Sequence, residues 1–108
     1  MKLPVRIKNI FSSGPAVDFA SLVKAGAIIL DVRTPGEFNS GHIKGSINIP
    51  LDEIKNKTAE LKKKNKVIIT CCRSGNRSGI AAAMLNTEGI ECHNGGPWNV
   101  LNNKIEAV

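Results

Sequence analysis

The chain has 108 residues, 42% of them apolar, with a formal net charge of +6 and a pI near 9.5. That length suits one domain, residues 1–108, with a single hydrophobic core that needs no staples. No apolar run approaches the ~18 residues of a membrane span, and Met1 to Lys8 is charged too often to be the apolar core of a signal peptide. The excess of lysine raises the question of nucleic acid. However, Lys55, Lys57, Lys62, Lys63, Lys64 and Lys66 fall in one stretch that reads as a solvated helix face, and the aromatic residues number only four. The expected partners therefore include neither nucleic acid nor membrane. The three cysteines, Cys71, Cys72 and Cys92, make no disulfide framework, and a bridge between chain neighbours is strained. Reduced thiols fit a cytoplasmic location; a periplasmic one requires that an export signal has been removed.

Taken in chain order, Leu3 to Ile7 alternates weakly and reads as an edge-like strand. Pro15 and Asp18 open a helix with Phe19, Leu22 and Val23 on one face, stopped at Gly26. Ala27 to Leu30 is a short buried strand leading to Asp31-Val32-Arg33. Thr34 is the N-cap and Pro35 the first residue of a short helical turn that Gly41 ends. Ser46 to Ile49 alternates as a third strand, closed by Pro50. Leu51, Ile54, Thr58 and Leu61 recur at helical spacing, with Asp52 and Glu53 at the start and Lys62 to Lys64 at the end, matching the helix dipole. Val67 to Thr70 is a buried strand, Arg77 to Glu88 a helix stopped by Gly89, and Ile90 to His93 a fifth strand. Gly95-Gly96-Pro97 turns into a last helix with Trp98, Leu101 and Ile105 on one face. Alternating strands and helices predict a three-layer α/β/α domain with a mostly parallel sheet. Sites in such sheets lie outside the carboxyl ends of the strands, where Asp31, Cys72 and Gly95 are expected.

The chemistry centres on Cys71-Cys72-Arg73-Ser74-Gly75-Asn76-Arg77-Ser78, between a buried strand and an Ala-rich helix. A tight loop there turns its backbone N–H groups inward, and the helix N-terminus adds roughly half a positive charge. Both favour thiolate over thiol and pull the cysteine below its free value of ~8.5. The result is a nucleophile inside an anion cradle.

Three ordered motifs carry a family resemblance. They are Asp31-Val32-Arg33-Thr34-Pro35-Gly36-Glu37-Phe38, then Gly41-His42-Ile43-Lys44-Gly45-Ser46-Ile47-Asn48-Ile49-Pro50, then Cys72-Arg73-Ser74-Gly75-Asn76-Arg77-Ser78. With these motifs the chain resembles the rhodanese (sulfurtransferase) domain in its stand-alone form, from about Ala16 to Leu101. The resemblance implies a three-layer fold with a five-stranded sheet and a cysteine, Cys72, that carries sulfane sulfur as a persulfide. It implies a small anionic donor such as thiosulfate and a cyanide or thiol acceptor, including a small redox protein. Arg73, Ser74, Gly75, Asn76, Arg77 and Ser78 become the substrate-binding loop, with no metal or organic cofactor. Gly95-Gly96-Pro97-Trp98 is similar to the family's Gly-Gly-x-x-Trp segment, with the tryptophan one place early.

The doubled cysteine leaves two registers open. From Cys72 the loop is Cys-x-x-x-x-Arg, the short sulfurtransferase form. From Cys71 it is Cys-x-x-x-x-x-Arg-Ser, the form used by phosphatases and arsenate reductases related to this family, whose larger cradle fits tetrahedral phosphate. Arg-Ser-Gly-Asn-Arg-Ser directly after Cys72 favours the first, and Cys71 then points the opposite way as a small core residue. A non-catalytic binding module is the third reading; the retained cysteine and both arginines count against it. Cys92 and Trp98 read as core, His42 and His93 as structural or surface groups, and Asp31 with Arg33 as an ion pair that fixes loops. Gly79 reads as a point of close backbone packing that costs helix stability. Arg73 is expected to contact substrate, while Arg77 divides its work between loop hydrogen bonds and charge.

Overall fold

The computed structural model describes residues 16–106. Asp18 caps helix α1 (Phe19–Lys24) by accepting from the Ser21 amide at 3.1 Å. Strand β1 (Ile28–Asp31) follows, then α2 (Pro35–Ser40) and β2 (Ile47–Asn48). A 3-10 turn (Leu51–Glu53) runs into α3 (Ile54–Lys63). Strand β3 (Ile68–Cys72), helix α4 (Asn76–Thr87), strand β4 (Cys92–Pro97) and helix α5 (Trp98–Glu106) complete the chain order. The strands form one parallel sheet in the order β2-β1-β3-β4. Among the described residues the sheet has four strands and not five; the fifth expected strand, Leu3 to Ile7, lies outside them.

The three-layer arrangement follows from alternation along the strands. One face of the sheet carries Leu30, Ile68, Cys72 and Cys92 against Ile54, Leu61, Ala81, Ala82 and Leu85 of α3 and α4. The other carries Ile29, Ile69 and Cys71 against Phe19 and Leu101 of α1 and α5. β3 is buried along its whole length, as a central parallel strand must be. Helix α3 is mostly lysine, glutamate and asparagine, and buries only Ile54 and Leu61. Each such side chain stabilises the domain by ~1.5–3 kcal/mol, so Ile54→Ala and Leu61→Ala are the changes most damaging to that helix. No helix of the described residues is long and apolar enough to cross a membrane.

Both ends of β4 differ from the sequence expectation. Strand β4 starts at Cys92 rather than Ile90, because Ile90 is used to close α4. The Ile90 N–H bonds the Leu85 carbonyl and the Gly89 N–H bonds the Asn86 carbonyl, each at 3.0 Å, the paired contacts of a Schellman motif. Asn86 then holds the start of the strand, accepting from the Cys92 N–H and donating to the Cys92 carbonyl. The same strand continues to Pro97 instead of turning at Gly95. Thr70 pairs with Asn94 but Cys72 pairs with Pro97, so β4 carries an extra residue there. Gly95 and Gly96 make that bulge possible. A Cβ on Gly95 would lie 2.8 Å from both the Thr70 carbonyl oxygen and Leu101, and Gly96 has φ +83°.

Candidate functional site

The carboxyl ends of β1, β3 and β4 meet at one edge of the domain, where Asp31, Cys72 and the Asn94–Gly96 bulge lie side by side. Cys72 ends β3 and the chain turns at once. Gly75, at φ +100°, makes the turn and serves as N-cap of α4. The turn brings amides onto the sulfur: the Gly75 N–H donates to Cys72 Sγ at 3.0 Å and the Ser78 N–H at 3.4 Å. The Ser78 hydroxyl stands 3.3 Å away on the same sulfur. Burial by itself raises the Cys72 pKa. Hydrogen bonds from the Ser78 hydroxyl and from the Ser78, Gly75 and Ser74 amides outweigh it, and the thiol ends below its ordinary value. Cys72 is 0% exposed beneath this loop.

Cys71 is one residue away and faces the opposite side of the sheet. Its side chain packs among Phe19, Ile29, Ile43, Ile69 and Leu101 on the far face of the sheet. Burial pushes its thiol up to about 12, with the Asp31 charge adding to the rise and Arg33 offsetting it. Cys92 is likewise raised to about 12 by burial. All three cysteines are free thiols.

The expected loop residues separate into distinct roles. Arg73, Ser74 and Asn76 are exposed, Gly75 and Arg77 half-buried and Ser78 buried. Among the described residues Arg73 makes no hydrogen bond or ion pair, which leaves its guanidinium available to an anion. Arg77 is committed: its Nη1 and Nη2 donate to Glu37 Oε1 at 2.8 Å and Oε2 at 3.0 Å. Glu37 also closes a capping box on α2 with Thr34. The Arg77 hydrogen bonds and those from Thr34 hold its carboxyl down at about 2. Sequence reading caught the Thr34 cap but missed Glu37, although Thr-x-x-Glu is a capping-box signature.

Behind the loop, Asp31 and Arg33 form the expected ion pair, with Arg33 Nη2 at 2.8 Å from Asp31 Oδ2 and donating at 2.7 Å to the Gly41 carbonyl. The Arg33 guanidinium lies 4.8 Å over the Trp98 ring. His42 stacks on Phe38 at 3.7 Å and its Nδ1 bonds the Phe38 carbonyl, while His93 pairs with Glu91 at the surface. Among the described residues no three His, Cys, Asp or Glu side chains converge on a metal position.

A family model for the rhodanese-like domain matches residues 16–100. The chain belongs to the rhodanese-like domain family. This rhodanese-like chain is 36% identical over 75 residues to the thiosulfate sulfurtransferase PspE of Escherichia coli, covering 68% of the chain and 72% of that protein. It is 41% identical over 63 residues to the uncharacterized protein YqhL of Bacillus subtilis, covering 58% of the chain and 49% of that protein. It thus spans about half of YqhL. Among solved structures, a rhodanese with anions from E. coli superposes with TM-score 0.63 at 33% identity, covering 68% of the chain and 89% of that one. Reduced Bacillus anthracis CoADR-RHD superposes with TM-score 0.68 at 37% identity, covering 81% of the chain and 15% of that one. The rhodanese-like domain therefore has sulfurtransferases among its relatives.

Proposed function

We propose that this rhodanese-like domain is a thiosulfate-type sulfurtransferase with Cys72 as nucleophile and sulfur carrier. The observation that carries the reading is the focus of the Gly75 and Ser78 amides on Cys72 Sγ at the end of β3. A thiolate held this way attacks the outer sulfur of thiosulfate. The sulfur–sulfur bond of the donor breaks, sulfite leaves with the bonding pair, and Cys72 becomes a persulfide anion. Cyanide or a thiolate then attacks the outer persulfide sulfur, and the Cys72 thiolate leaves. The amides that stabilise the thiolate serve both half-reactions, since it is consumed in the first and re-formed in the second.

Arg73 is the cation for the sulfonate end of the donor, because Arg77 is neutralised by Glu37. That division departs from a symmetric pair of arginine clamps. The longer register, counted from Cys71, gains no support from a thiol that faces the opposite side of the sheet. Thiosulfate and cyanide incubated with the domain are expected to give thiocyanate, with activity lost in Cys72→Ser and kept in Cys71→Ser. Loss in Cys71→Ser alone, or turnover of an aryl phosphate that depends on Cys71, would overturn the proposal.

A further inference from the structure

Asn94 belongs to none of the three sequence motifs, yet its side-chain amide makes three hydrogen bonds. Nδ2 donates to the Gly75 carbonyl at 3.1 Å, while Oδ1 accepts from the Gly96 N–H at 2.9 Å and from the Ser78 hydroxyl at 2.7 Å. The first two contacts fix which end of the amide is oxygen. The reverse orientation would set NH2 against the Gly96 N–H and oxygen against the Gly75 carbonyl. Ser78 has one hydroxyl proton. When that proton is on Asn94 Oδ1, the Ser78 oxygen facing Cys72 at 3.3 Å presents a lone pair. It accepts from the thiol but cannot donate to the thiolate. A second observation points to the same residue. A Cβ on Gly79 would lie 3.1 Å from Asn94 Nδ2, so α4 lacks a side chain at the place where this amide sits.

We propose that Asn94 is a positioning residue that holds the Ser78 hydroxyl as an acceptor towards the Cys72 thiol and releases it to donate once the sulfur is ionised. The proposal rests on Cys72 being the nucleophile. In the step itself the S–H bond breaks and its proton passes to a base in bulk solvent. The Ser78 O–H turns about its Cβ–Oγ bond from Asn94 Oδ1 to Sγ, and no bond to Ser78 breaks. The new bond to a thiolate is charge-assisted, which compensates for the neutral one lost. When Cys72 becomes a persulfide the negative charge moves to the outer sulfur, and the hydroxyl returns to Asn94. When the thiolate leaves in the second half-reaction, the hydroxyl swings back to meet it.

The charged and titratable groups around Cys72 are the same in the native chain, in Asn94→Ala and in Ser78→Ala. Cys71 adjoins it on β3. Asp31 and Arg33 follow from β1, and Glu37 of α2 is paired with Arg77 of α4. Arg73 lies on the loop, Asp52 and Glu53 on the 3-10 turn are exposed, and β4 contributes the His93–Glu91 pair further along the strand. These set a common offset, so differences between variants isolate the hydroxyl.

The test is the rate of Cys72 alkylation by iodoacetamide as a function of pH, read by peptide mass mapping. Asn94→Ala frees the Ser78 proton for the thiolate and is expected to lower the midpoint by about half a pH unit. Asn94→Asp keeps the acceptor and adds negative charge, and is expected to raise it. Ser78→Ala should raise it too, and in that background Asn94→Ala should leave the midpoint where it is. An upward shift in Asn94→Ala, or an equal shift with and without Ser78, would reduce Asn94 to a structural tether and overturn the proposal. Should Asn94→Ala fail to fold, the near-isosteric Asn94→Leu, which also removes the acceptor and adds no charge, decides, and an unchanged or raised midpoint there overturns it. The readout does not involve sulfur transfer. Normal titration without thiocyanate formation counts against the sulfurtransferase reading, whereas normal transfer without the midpoint shift counts against Asn94.

Discussion

Cys71 and Cys72 are chain neighbours on the same strand, and the sheet between their side chains makes them chemically unlike. Cys72 faces the α3–α4 side at the point where the chain turns, so amides and a hydroxyl reach its sulfur. Cys71 faces the α1–α5 side among phenylalanine, isoleucine and leucine, where the Arg33 charge does not make up for the cost of burying a thiolate. The period-two alternation of a strand thus separates a thiol held below its ordinary pKa from one pushed above it within a single residue step. The lowered pKa of Cys72 comes from the loop that follows the strand and not from the cysteine alone.

The comparison breaks most directly at the sulfur. Cys72→Ala should remove sulfur transfer altogether, while Cys71→Ala should keep it and cost stability as a small core cavity does, about 1–2 kcal/mol by urea unfolding. The next largest effect lies on the Cys71 side. Asp31→Ala strands the buried Arg33, which is 5% exposed, and should cost about 3–5 kcal/mol in the same measurement. It should affect catalysis only through the loss of folded protein, because Asp31 acts on the β1–α2 connection and not on Sγ.

A smaller effect separates the two sides by pH. Cys72 is held below the ordinary thiol range and Cys71 and Cys92 stand at about 12. In native protein at pH 8 a thiol reagent should therefore label Cys72 alone, and all three cysteines should react together only in denaturant. Rapid native labelling of Cys71 would remove the distinction. The smallest effect concerns Glu37. Its carboxyl is held at about 2 in the folded chain, below its unfolded value, so the stability it contributes is present above about pH 4.5 and is lost as the pH falls through about 2. Glu37→Gln should flatten the acid limb of the stability curve over that window. The change should be modest, because the ion pair is about one-third exposed.

What the sequence made legible follows the same line. The opposed cysteines, the Thr34 cap, the Asp31–Arg33 pair and the three layers are local or periodic features, carried by residues a few positions apart. The placement of Glu37 beside Arg77 and of Asn94 beside Ser78 is not local. Forty residues separate the first pair and sixteen the second, and only the crossing of β1, β3 and β4 brings them together. The end of β4 departs from the expected turn for a related reason. Gly95-Gly96-Pro97 has the composition of a turn, but Gly95 is glycine because Leu101 and the Thr70 carbonyl crowd it within the sheet. Glycine marks both turns and close approaches, and residue type alone does not distinguish them.

The most direct measurement is to treat the reduced domain with thiosulfate, trap the product by alkylation and locate the added sulfur by peptide mapping. The account predicts one extra sulfur on Cys72 with Cys71 and Cys92 unmodified. Sulfur on Cys71, or no persulfide on any cysteine, would contradict it.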